Sequence, residues 1–132
     1  MSNLAKLARD LHILASELPE KANEVVRVFA IEALNNLILA TPVDTGRARS
    51  NWFVNANNPD SSVSQNTDFN SNMSTQVGKL SKLQGFESVW ISNNLPYIGV
   101  LNDGHSQQAP VGFVEKAVEA AGSAIANAKI LR

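Results

Sequence analysis

The residues of this chain that could do chemistry are few and scattered. His12 and His105 are the only histidines, and there is no cysteine. A hydrolytic zinc site takes three protein ligands and keeps a fourth position open, so these imidazoles would need a carboxylate brought from elsewhere in the fold. Asp103 stands close to His105, yet the turn signature Asn102-Asp103-Gly104 accounts for Asp103 without chemistry. No serine occupies a G-x-S-x-G elbow. Neither a Walker-type nor a G-x-G-x-x-G loop offers a phosphate cradle, and the carboxylates show no acid/base pair. The expectation is a protein that is not an enzyme, with no metal and no cofactor.

Arg47 and Arg49 suggest a second chemistry. They follow a glycine turn and precede Trp52 and Phe53, so an aromatic ring could stack on a base while arginine holds phosphate. Lys79 and Lys82 would extend such a patch. Against it stand a net charge of -1 and a pI near 6.1, which give no general attraction to nucleic acid or to acidic membranes. The favoured reading places Trp52 in the core and Phe53 on the other face of a strand, with Arg47 pairing with Asp44 or with an adjacent subunit.

The elements that must position these residues follow from periodicity. Leu4, Leu7, Leu11, Leu14 and Leu18 step by three and four and predict a helix over 1–18. Pro19 starts a second helix that Pro42 ends, giving a span of 19–41. Val25, Val26, Phe29, Ala30, Ala33, Leu34, Leu37 and Ile38 cover more than one stripe of it. So broad an apolar surface calls for two coverings, the chain's own sheet and a neighbouring subunit.

The segment Val43-Asp44-Thr45-Gly46-Arg47 reads as a turn, and 49–56 as a strand with Trp52 and Val54 on one face. Residues 55–72 are rich in Asn, Ser, Asp and Gln and predict a mobile loop. Met73, Val77, Leu80 and Leu83 indicate a short helix to about Gln84, and 86–92 a strand. Leu95 to Leu101 reads as an edge strand or an irregular segment, since Pro96 excludes a central strand. Pro110 opens a last helix over 110–129, marked by Val111, Val114, Val118, Ala121, Ile125 and Ala128. Its small residues, Ala117, Ala120, Ala121, Gly122, Ala124, Ala126 and Ala128, allow close helix approach.

The fold class is therefore α+β, with helices at both ends flanking a small, mostly antiparallel sheet in the region 43–110. A length of 132 residues suits one domain. Charged residues make up only 17% of the chain, below the usual quarter, which suggests an exterior partly covered by neighbours. Lys6, Arg9 and Asp10 interrupt the N-terminal stretch, so it is read as neither a signal peptide nor a spanning helix. The absence of cysteine fits a reducing cytoplasm.

Three segments, taken together, resemble a known family. They are Thr41-Pro42-Val43-Asp44-Thr45-Gly46-Arg47 followed by Trp52, then Ser92-Asn93-Asn94-Leu95-Pro96-Tyr97, then Leu101 to Gly112 running into a helix. Their order is similar to that of the small tail-component family of long-tailed double-stranded DNA phages, described as neck, head–tail joining or tail-completion proteins. The likeness runs from about residue 20 to 122, leaving the polar loop unaligned. Where the family often has an acidic residue and an aromatic before the glycine of the third segment, this chain has Asn102 and Asp103.

The resemblance implies a virion structural protein, made in the host cytoplasm, that forms a ring around the DNA channel where tail meets head. The implied partners are copies of itself, six to match tail symmetry, and neighbouring head-completion and tail-tube proteins. Lumenal contact with double-stranded DNA would carry no sequence specificity, and no membrane is involved. The residues expected at subunit or partner contacts are Arg47, Arg49, Tyr97, Asn102 and His105 in loops, with Val26 and Phe29 nearer the helical packing. The rival class is a DNA-binding accessory protein using the local basic patch. A small metal-dependent hydrolase is a third.

Overall fold

Pro19 divides the N-terminal forty residues into two helices. In the computed structural model, which describes residues 3–43, 46–86, 88–104 and 111–127, α1 (Asn3–Glu17) and α2 (Pro19–Ala40) meet at Leu18. Proline at the first position of α2 loses an N–H that would have had no helical partner anyway. At the far end Pro42 forces the residue before it out of helical geometry. Thr41 is accordingly extended, with φ -69° and ψ 133°, and its N–H still donates to the Leu37 carbonyl. A single 3-10 turn (Arg49–Asn51) then leads into strand β1 (Trp52–Ala56).

β1 pairs antiparallel with β2 (Val89–Asn93), in the register Trp52 to Asn93, Val54 to Ile91 and Ala56 to Val89. Helix α3 (Phe69–Ser81) lies between the strands in sequence, and α4 (Ile98–Asn102) and α5 (Phe113–Asn127) follow. The architecture is α+β: five helices and one two-stranded antiparallel sheet among the described residues.

α2 is the spine, packed by α5, α1, α3 and the hairpin. The main core draws Ala30, Leu34, Leu37 and Ile38 from α2, Trp52 and Val54 from β1, Leu80 from α3, and Phe113 and Ala117 from α5. A smaller cluster joins Leu7, Val25 and Ile125, with Leu11, Leu14 and Phe29 against it. The broad apolar surface of α2 is thus covered mainly by this chain's own helices and sheet. Asn36 donates from α2 to the Ala117 carbonyl of α5 at 3.1 Å. So close an approach needs the small Ala117, Ala121 and Gly122, all buried.

Several sequence expectations change. The expected strand over 49–56 gives its first three residues to the 3-10 turn. The segment 95–101 is a turn and the short helix α4, because Leu95 is anchored in the interior and Ile98 and Leu101 pack on the core. α3 begins at Phe69, where the Asp68 side chain accepts from the Ser71 N–H at 3.1 Å and caps the helix.

In α5 the most buried row is Phe113, Ala117, Ala121 and Ile125, while Val111 lies ahead of the helix and is exposed. The irregular part of the polar excursion is short, 57–68, and side-chain hydrogen bonds tie it to the body of the fold. Asp44, Thr45, His105, Pro110 and Ala128 lie outside the described residues.

Candidate subunit interface

Val26 and Phe29 project from the N-terminal half of α2 beside α1. With Leu7, Ala8 and Leu11 they line an open groove of about 250 Å³ that is almost wholly apolar. The groove exists because α1 and α2 are joined by one residue and splay over the smaller core cluster. Leu7 and Val25 fill its floor, while the outward rows of both helices remain uncovered. Elsewhere on this helical pair, Ile13 and the junction residue Leu18 are more than half exposed. Of the sequence-predicted contacts among the described residues, Val26 and Phe29 alone line this concave surface.

The arginines are engaged within the chain. Arg49 Nε donates to the Thr41 carbonyl at 2.7 Å and an Nη to the Leu39 carbonyl at 2.8 Å. Its guanidinium carbon stands 4.9 Å from the centroid of the Phe69 ring. The cation therefore closes the C-terminal end of α2, where unpaired carbonyls and the helix dipole favour positive charge. Partial burial lowers the Arg49 pKa. Arg47 Nε donates to the Ser64 carbonyl at 3.2 Å and so holds the excursion.

Trp52 is 4% exposed, and its Nε1 donates to Thr41 Oγ1 at 2.8 Å. It offers no face to a base, as the core reading required. Phe53 is half-buried on the opposite face of β1.

Asn102 is also occupied. Its Nδ2 donates to both Glu115 carboxylate oxygens at 3.0 and 3.1 Å. Its Oδ1 accepts from the Val114 N–H, and its carbonyl accepts from the Gly112 N–H at 2.7 Å. One side chain thus ties the end of α4 to the start of α5 and supplies the acceptor that opening helix turns need. Tyr97, ahead of α4, is exposed; His105 lies outside the described residues.

The structure does not gather the expected contacts into one patch. Phe29 and Leu39 stand ten residues apart on α2, about 15 Å along the helix axis. The apolar groove and the Arg49 clasp therefore occupy different ends of α2.

Sequence reasoning missed a set of buried polar side chains: Thr41, Asn51, Asn72 and Gln76. Thr41 donates to the Leu37 carbonyl while accepting from Trp52. Asn51 donates to the Arg47 and Ser64 carbonyls and accepts from the Ser64 N–H at 2.7 Å. Asp60 fixes the middle of the excursion. Its carbonyl accepts from Ser92 Oγ and Asn94 Nδ2, both at 2.8 Å, and its carboxylate lies 3.7 Å from Lys79 Nζ.

The bonds from Ser62, with the Lys79 charge, hold the Asp60 pKa below the ordinary carboxylate value. In the sequence these residues look like any polar loop, and nothing in their spacing marks them.

No cluster of three metal-ligating side chains occurs among the described residues; His12 is exposed on α1. What the arrangement offers chemically is an apolar concavity on a scaffold cross-linked by hydrogen bonds. No protein-family model matches this chain, and no curated protein or solved structure matches it significantly.

Proposed function

We propose that this chain is a structural virion protein of a tailed phage, a subunit that builds a ring at the head–tail junction or the upper end of the tail. The supporting observation is the apolar groove of Leu7, Ala8, Leu11, Val26 and Phe29, together with the three segments that resemble the tail-component family. A ring needs a heterologous interface whose rotation closes, so one face must fit a different face on the next copy. An open apolar concavity suits one half of such a contact, and burying it removes from water the helix rows that the fold leaves bare. Arg49 and Asn102, assigned to contacts by their loop positions, act in this reading as internal clasps that shape the loops. Val26, Phe29 and the exposed Tyr97 remain as contact residues.

The test is assembly of the purified protein, followed by sedimentation and negative-stain micrographs. Rings of about six copies are expected. Phe29→Asp buries an unpaired charge against the smaller core cluster and should abolish assembly or folding. Val26→Lys separates the two outcomes, because a long side chain at a half-exposed site can carry its charge to water. A folded Val26→Lys protein that still forms full-size rings would remove the groove from the interface. In particles made without this protein, filled heads beside unjoined tails are expected.

A further inference from the structure

The two-stranded sheet has two outer edges, and the chain treats them differently. The edge of β1 is filled from within: Gln76 Oε1 accepts from the Val54 N–H at 3.0 Å, and Asn72 Nδ2 donates to the Trp52 carbonyl at 2.9 Å. Two side chains of α3 stand where the backbone of a third strand would stand. Those bonds also fix the parity of the ladder. Since Trp52 and Val54 point away from β2, their antiparallel opposites Asn93 and Ile91 point away from β1, as does Val89 opposite Ala56.

Among the described elements β2 packs on β1 and on α2, meeting the main core through the Val89 and Ile91 side chains. No described group bonds the N–H or carbonyl of Val89, Ile91 or Asn93. The strand has neither proline nor lysine, two of the residues that commonly protect an edge. Trp90 stands 46% exposed on its outer face.

We propose that two copies of this chain pair through β2, antiparallel about Ile91, so that two hairpins become one four-stranded sheet. The partial charges along this edge are their own complement under a two-fold axis. Val89 meets Asn93 of the partner subunit, Ile91 meets its counterpart, and Asn93 meets the partner's Val89. Each is a pair that exchanges two bonds, giving about six in all. Because the β1 edge is filled, a copy of this chain can offer only its own β2. The contact is therefore isologous and stops at two copies.

In this register Trp90 lies opposite Ser92 of the partner subunit. The two indoles become diagonal neighbours within aromatic reach. This contact is separate from the groove between α1 and α2 and does not rest on the ring.

Amide hydrogen exchange of the whole chain at several concentrations, with sedimentation on the same samples, tests the pairing. Where the mass is twice the 14.2 kDa of one chain, the Val89, Ile91 and Asn93 amides should exchange at least about tenfold more slowly than in dilute monomer. Trp90 and Ser92, whose amides face β1, are the internal control and should not respond to concentration. Val89→Pro removes one edge donor at the first residue of the strand, where proline is tolerated, and should shift the balance to monomer. If that variant misfolds, exchange in the natural sequence still decides.

Fast exchange of the edge amides at every concentration overturns the proposal, including in an assembled ring. So does slow exchange in dilute monomer, which would mean that this chain covers its own edge.

Discussion

At the scale of single residues, the stability of this protein depends on polar side chains placed where water cannot serve them. Thr41 is the clearest. Fully buried, its hydroxyl donates to Leu37 and accepts from Trp52 Nε1, so one atom joins the end of α2 to the start of β1. Thr41→Val keeps the shape and leaves the indole N–H without an acceptor. The expected loss is about 1–3 kcal/mol, read as a lower denaturant midpoint at unchanged slope.

Asp60 gives a pH prediction. Its folded pKa is lowered, first by the bonds from Ser62 and then by Lys79. A lowered carboxylate pKa stabilises the fold above the unfolded value, and that stability is lost as pH falls through the folded value. The Lys79 pair is partly exposed and adds little. The Ser62 amide signal should therefore titrate below the usual carboxylate range. An ordinary midpoint would show that the excursion is not held through this side chain.

At the scale of elements, hydrogen bonds distant in sequence decide which segments meet. Asn102 is the link between α4 and α5, serving Val114, Gly112 and Glu115 together. Asn102→Ala removes the side-chain acceptor at the start of α5 and should cost about 1 kcal/mol, like the loss of a helix cap. Faster amide exchange should appear first at Val114.

The excursion 57–68 obeys the same logic. It is anchored through Asn51, Arg47, Ser92 and Asn94, and any displacement of it would break these bonds.

For the whole molecule, one core joins α2, the hairpin, α3 and α5, and Phe113 is its largest fully buried side chain. Phe113→Ala opens a cavity touching each of these elements. It should cost about 3–5 kcal/mol, with the loss seen equally by probes on α2 and on β1. A loss confined to α5 would mean that the helix unfolds by itself.

The two uncovered surfaces, the α1–α2 groove and the β2 edge, differ in kind. The groove is apolar and accepts any complementary shape, whereas the edge demands an extended backbone with matching donors and acceptors.

The sequence alone determined the helices of the N-terminal forty residues, the C-terminal helix, the burial of Trp52 and Val54, and the α+β class. All of these rest on local rules: steps of three and four, alternation along a strand, and the geometry that proline and glycine impose. It placed Val26 and Phe29 on the broad apolar surface of the second helix for the same reason. Only the tertiary structure decided what the polar residues do.

Asn93 finds its partner at Ala48, Ser92 at Asp60 and Asn72 at Trp52. A hydrogen bond spanning tens of residues leaves no periodic trace in the chain. Arg49 and Asn102 looked like surface contacts because loop residues usually are. They became internal clasps because helix ends leave carbonyls and N–H groups unpaired, and those groups attract whatever side chain the fold brings near.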